Sequence, residues 1–156
     1  MIYLRQACED DCQLIWEWAN DPDVRQLSFS SDFIPWEEHL QWFAKKLSDP
    51  NCFQFIALDS NNTPIGQIRF DIHEKNAEVA VSLDKGKRQQ GYGSILIRKG
   101  VVNLIRLTQI NNIHAFIRAE NKASIRVFQK AGFVYQNTEI VKGNVSVLLV
   151  WKSNGE

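Results

Sequence analysis

The sequence predicts an α/β fold built on a mixed sheet, largely antiparallel with one parallel step. Three observations predict it. Apolar residues alternate with period two in successive segments between Cys52 and Leu83, separated by short Asn/Asp-rich turns. Helical spacing governs the stretches around 36–47 and 93–108. The order strand–helix–strand across Leu83, Leu96 and Ile113 calls for a crossover, which joins parallel neighbours.

Element by element, Ile2 and Leu4 alternate with Tyr3 and Arg5 as a half-buried strand. Glu9, Asp10 and Asp11 place acids at the start of a helix whose one face holds Leu14, Ile15 and Trp18. Asn20-Asp21-Pro22-Asp23 stops it, and residues 20–34 read as a polar loop with at most a turn of helix. Pro35 opens a second helix, with Trp36, Leu40, Phe43 and Leu47 at helical spacing and His39 on its exposed side. Three strands follow, at 52–58, 63–72 and 77–83, turning at Asp59-Ser60-Asn61-Asn62 and Glu74-Lys75-Asn76. A basic glycine-containing loop leads to a helix from about Gly93 to Thr108, with Leu96, Gly100, Leu104 and Leu107 on one side. Residues 113–117 form a strand and 121–130 a helix closed by Gly132. The chain ends in a hairpin, 133–141 with 145–151. The predicted order is β-α-α-β-β-β-α-β-α-β-β, and the 156 residues suit a single domain, 1–156.

Composition narrows the function. Apolar residues make up 44% and charged residues 23%, as in ordinary globular proteins. Lys+Arg and Asp+Glu both number 18, so no overall field draws the chain to nucleic acid or to a membrane, and an anion would need a local site. Cys8, Cys12 and Cys52 are odd in number and lack CxxC spacing, which fits a reducing compartment rather than a disulfide framework. With no signal-peptide pattern and no apolar run of spanning length, the expected location is the cytoplasm. His39, His73 and His114 lack metal-site spacing, so no metal is expected.

The segment from Val79 to Ser94 reads strand, loop, helix. A phosphate group needs unpaired backbone N–H groups at the positive end of a helix, with few side chains in the way. Gly91 and Gly93 remove Cβ atoms where the backbone would approach the ligand, and Lys87 and Arg88 add positive charge. Gly86 and Gly91 have Walker A spacing, but Tyr92 stands where that motif requires Lys. Leu96 stands where the dinucleotide fingerprint needs its third glycine.

Arg88-x-x-Gly91-x-Gly93 resembles the Q/R-x-x-G-x-G/A signature of the GNAT acyltransferases, and Asn121-x-x-Ser124-x-x-x-Phe128-x-x-x-Gly132-Phe133 resembles that family's second motif at the expected distance. The resemblance extends over nearly the whole chain in element order. It implies a GNAT fold, acetyl-CoA as cofactor, and direct transfer of the acetyl group from thioester to amine without an acyl-enzyme. It further implies that Val81, Ser82 and Leu83 line the pantetheine arm. The N–H groups from Gln89 through Gln90, Gly91, Tyr92 and Gly93 to Ser94 would hold the pyrophosphate beside Arg88. Asn121, Ser124 and Phe128 would flank the coenzyme.

Direct aminolysis needs a base for the amine proton and a donor to the thioester oxygen. Glu78 and Ser82, which share one strand face with Ala80, are the candidate catalytic residues. Glu78 is the first candidate for the base, with Asp71, His73 and Glu74 competing. A backbone N–H on the strand ending at Leu83 is a candidate donor. Many members of the family carry Tyr, the proposed general acid, where Phe128 stands, and Phe has no proton to give.

In the family the first two helices and their connection shape the acceptor site. Here Trp18, Asn20, Arg25 and Ser28 fall in that stretch, which looks like the subgroup that acetylates nucleotide-linked amino sugars, as in pseudaminic acid biosynthesis. Arg25 suits a diphosphate. Helix capping and a surface ion pair explain Asn20, Asp21 and Arg25 equally well. An N-terminal (ribosomal-protein-like) protein acetyltransferase and a non-catalytic acyl-CoA-binding module remain alternatives. The expected partner is a small amine acceptor, with no nucleic acid and no membrane, and a homodimer is compatible with the family.

Overall fold

A computed structural model describes residues 1–153. The elements are β1 (Tyr3–Gln6), α1 (Cys12–Ala19), α2 (Pro22–Leu27), α3 (Trp36–Ser48), β2 (Cys52–Leu58), β3 (Pro64–His73), β4 (Asn76–Leu83), α4 (Tyr92–Leu107), β5 (Asn112–Arg118), α5 (Lys122–Lys130), β6 (Val134–Val141) and β7 (Asn144–Lys152). The strands form one seven-stranded sheet in the order β1-β2-β3-β4-β5-β7-β6. Every neighbouring pair is antiparallel except β4–β5, the parallel step that the crossover through α4 requires.

The order differs from the expected one by a third helix before β2. Asp21-Pro22 ends α1, but the same residues also start α2. The Asp21 carboxylate accepts the N–H groups of Asp23 and Val24, and Pro22 takes the first helical position, where its missing N–H costs nothing. No helix among the described residues is long and apolar enough to cross a membrane.

The sheet buries both faces. On one side Ile68, Phe70 and Val79 pack with Leu96, Ile97, Val101 and Leu104 of α4. Gly100 permits this contact, since a Cβ there would meet Ile68 Cδ1 at 2.7 Å. On the other side Ile56 packs with Cys12, Ile15 and Trp18 of α1 and Phe43 of α3. The turn into α1 is tied by Asp11, which is buried and accepts both terminal guanidinium nitrogens of Arg5 at 2.8 Å together with the Cys8 N–H.

His39 lies inside, against the expectation for its helix. It is 2% exposed, its ring stacks on Phe43, and its Nε2 donates to the Cys12 carbonyl at 2.8 Å. Because the partner is a carbonyl, Nε2 carries the proton in the neutral ring. Burial lowers the affinity for a second proton despite that bond. Leu40, expected on the buried stripe, is exposed instead, and so is Leu107 at the end of α4.

Candidate active site

The site begins where β4 and β5 part. Their parallel ladder holds only Ala77↔Ile113 and Glu78↔His114, yet β4 runs on to Leu83 and β5 to Arg118. The sheet therefore forks beyond Glu78. The Leu83 carbonyl accepts from Arg88 Nε and Nη2 at 3.3 and 3.1 Å, so it points into the fork rather than into the β3 ladder. Backbone polar groups alternate along a strand, which places those of Val81 and Val79 on the same open edge.

At the mouth of the fork stands the N-terminus of α4. Its N-cap, Gly91, is left-handed at φ 84°, and no side chain caps the helix. The first N–H groups of a helix have no partner within it, and their dipole favours an anion. A Cβ on Gly91 would meet nothing within 4 Å, so the backbone lies open there. Gln89 is exposed and left-handed, and Gln90 Nε2 donates to the Gly86 carbonyl, which braces the loop. Tyr92 packs half-buried against the core, and the Ser94 side chain is buried.

Two residues of the loop also have work within the protein itself. Gly93 is required by packing, because a Cβ there would come within 2.8 Å of Val127 Cγ1 on α5. Gly93→Ala is expected to cost about 1–3 kcal/mol by overpacking. Pairing it with Val127→Ala should restore most of the loss in a denaturant titration, with coenzyme affinity unmoved in both variants. Arg88 has protein partners of its own. Its guanidinium holds Leu83 and stands 3.5 Å from the carboxylates of Asp21 and Asp23, which joins the loop to the start of α2.

The other flank is α5. Asn121 caps it by accepting the Ser124 N–H at 3.2 Å. Phe128 is 3% exposed and meets Phe133 edge to face at 5.0 Å. Its ring belongs to the core, so Phe in place of a proton donor is also a packing residue.

The face of the sheet towards α1 and α3 carries the polar side chains. Asp71, Glu78 and His114 form one row across β3, β4 and β5, and Glu78 is exposed. Asp71 accepts from Lys46 at 2.8 Å and from Arg69 at 2.9 Å, while Arg69 lies over the Trp42 ring. Burial opposes ionisation of Asp71, but the Arg69 charge and the bonds from Lys46 and Arg69 outweigh it and hold the carboxyl below its usual range. The same surroundings push the Cys52 thiol up to about 11, through burial and the Asp71 charge, which makes it inert at neutral pH. His73 and Glu74 sit at the exposed β3–β4 turn.

Towards α1 and α2, most expected acceptor contacts are occupied. Trp18 is 5% exposed and donates through Nε1 to Asp84 at 2.9 Å. Asn20 exchanges two bonds with the backbone of Ile34, and the Ser28 hydroxyl donates to the Val24 carbonyl. Arg118, not singled out in the sequence, reaches from the end of β5 to the carbonyls of Gln26 and Ser28 and pairs with Glu120. Arg88 and Arg118 thus tie α2 across the fork from its two sides. Arg25 is different. Nη1 donates to the Asp32 carbonyl at 3.1 Å, but Nε is buried without a partner, and burial lowers the guanidinium's proton affinity against the pull of Asp32.

Comparison with known proteins agrees with this geometry. The family model described as an acetyltransferase (GNAT) domain matches residues 2–134. The N-acetyltransferase YfmK of Bacillus subtilis (strain 168) is 22% identical over 131 residues, covering 84% of each chain. YwnH of the same organism, provisionally assigned as a phosphinothricin acetyltransferase, is 26% identical over 115 residues, covering 70% of this chain and 69% of its own. Among solved structures, the spermidine N-acetyltransferase of Vibrio cholerae in complex with CoA and spermine superposes with a TM-score of 0.87 at 16% identity, covering 97% of this chain and 95% of that one. The aminoglycoside acetyltransferase AAC(6')-Ib with coenzyme A and kanamycin gives 0.84 at 20% identity, with the same coverage, 97% and 95%.

Proposed function

The chain belongs to the GNAT acetyltransferase family, and on that premise we propose that it moves an acetyl group from acetyl-CoA to the primary amine of a nucleotide-linked amino sugar. The residues present suit the coenzyme. The uncapped start of α4 at Gly91 offers N–H groups to a pyrophosphate, and the open edge of Val79, Val81 and Leu83 offers backbone partners to the pantetheine amides. Bound acetyl-CoA supplies the activated acyl group as a thioester.

The chain's own groups divide the remaining work. A carbonyl held level with Ala80 has the Val81 N–H as a backbone donor. Glu78 and Ser82 lie on either side of Ala80 on the same face, each about 7 Å along the strand. The small Ala80 side chain leaves the gap between them open to an incoming amine. Glu78 takes the amine's proton, directly or through a water. Trp18, Asn20 and Ser28, whose polar atoms are already bonded, frame the acceptor site rather than bond the acceptor.

The observation that carries the choice of acceptor is Arg25. Its Nε is buried with no partner, the Asp32 charge acts on it without a direct ion pair among the described residues, and Asp21 and Asp23 are engaged with Arg88. A partly buried cation that no carboxylate pairs directly disfavours a polyamine and favours a phosphate. The test compares a UDP-linked amino sugar, spermidine and kanamycin as acceptors for the wild type and for Arg25→Met. The nucleotide sugar is expected to react with the highest kcat/KM, and Arg25→Met to raise its KM by about 10- to 100-fold, a loss of roughly 1.4–2.8 kcal/mol. Preferential turnover of spermidine or kanamycin, with Arg25→Met indifferent towards the nucleotide sugar, would overturn the assignment.

A further inference from the structure

A polar row crosses the buried face of the sheet beneath α1 and α3, and the roles assigned above leave it unexplained. Gln54 of β2 donates through Nε2 to Gln67 Oε1 of β3 at 3.0 Å, and Gln67 donates through Nε2 to Ser82 Oγ of β4 at 3.0 Å. Gln54 is 5% exposed and Gln67 7%, so both amides have left water and depend on each other.

The row has a direction. A carboxamide accepts at its oxygen and donates at its nitrogen. As arranged, the only orphan at its far end is Gln54 Oε1. Turning both amides round would strand the two protons of a buried NH₂ group there instead, and buried orphan donors are rarer than under-satisfied carbonyls. The donors therefore point from Gln54 to Ser82. A serine hydroxyl has one proton and two lone pairs. Gln67 occupies a lone pair, and the Ser82 proton goes to no acceptor among the described residues. The hydroxyl is left as a donor at the fork, one residue from Val81.

We infer that Gln67, oriented by Gln54, is a positioning residue that keeps the Ser82 hydroxyl a hydrogen-bond donor to the substrate oxygen that gains charge during acyl transfer. The inference rests on the fork being the acyl-transfer site, and not on the acceptor being a nucleotide sugar.

The test is a double-mutant cycle between Gln67→Leu and Ser82→Ala, with kcat followed by release of the coenzyme thiol and acetyl-CoA affinity by calorimetry. The acceptor is whichever of the three amines reacts best, or water alone if none does. Rejection of the nucleotide sugar thus changes the acceptor and leaves the cycle readable. Each single variant is expected to lower kcat about 10- to 100-fold with acetyl-CoA affinity unchanged within about twofold, and Gln67→Leu should add no further loss in the Ser82→Ala background. Gln67→Glu supplies a second readout and introduces no large change of volume. Its ionised carboxylate accepts where the amide donated and takes the Ser82 proton. Its acid form donates as the amide does. Its activity relative to wild type should therefore rise as the pH falls. An equal loss from Gln67→Leu with and without Ser82, or a Gln67→Glu profile parallel to wild type, would overturn the inference.

Discussion

Gly91→Trp is expected to abolish measurable acetyl-CoA binding, weakening it at least about a hundredfold, in a protein that still folds. Gly91 sits at φ 84°, and a Cβ on it meets no atom within 4 Å. An L residue in that left-handed conformation costs roughly 1–2 kcal/mol, which in a chain of this size lowers Tm by roughly 2–8 °C. The side chain enters no packed region. It is expected to cover the open start of α4, where a pyrophosphate would lie. Calorimetry and thermal melting read the two effects separately. Gly91→Ala serves as the control, because it carries the same backbone strain with little bulk. Its Tm should fall as far while much of the affinity remains. If the Trp variant bound acetyl-CoA as tightly as wild type, the coenzyme would not be held at this helix.

Much of the fold was legible because its strongest signals are local. Cys52–Leu58 was bounded correctly, and the other sheet segments were placed within a residue or two, because apolar alternation and Asn/Asp turns act within the segment itself. The helix α2 reads from sequence as a loop with a turn because Asp21-Pro22 carries two meanings. The pair ends one helix and caps the next, and the stop signal was the more familiar. His39 was misplaced by choosing Leu40 for the buried stripe. Trp36, His39 and Phe43 fit the same 3.6-residue period, so the signal was present but shared with a competing phase.

The loop before α4 was legible as a motif, yet the contacts of its members within the protein were not. Gly91 and Gly93 look alike in sequence. One supplies a left-handed turn, and the other makes room for Val127, thirty-odd positions away on α5. Arg88 reads as charge for a phosphate, but Asp21 and Asp23 come to meet it only through tertiary contact. The row Gln54–Gln67–Ser82 was hidden for the same reason. It depends on the register of β2 on β3 and of β3 on β4, which no local pattern encodes.

Register also decides among the carboxylates that compete for the role of base, and Glu78→Gln is expected to lower kcat by about 10²- to 10³-fold with acetyl-CoA affinity unchanged. Asp71 faces Glu78 across the β3–β4 ladder, but Lys46 and Arg69 hold it ionised and below its usual range, which makes it a poor proton acceptor. His73 and Glu74 stand at the exposed hairpin turn, beyond the paired end of the fork. Glu78 alone among these acids stands unpaired by any described cation at the point where β4 leaves β5. Removing its charge leaves the coenzyme's backbone partners in place, so the loss should fall on turnover and not on binding. Asp71→Asn should instead lower stability and retain most of the turnover. His114 is the informative alternative, because it neighbours Glu78 in the parallel ladder on the same face. A Glu78→Gln enzyme with undiminished kcat, beside a His114→Asn enzyme that has lost turnover with acetyl-CoA affinity unchanged, would move the base from the carboxylate to the imidazole.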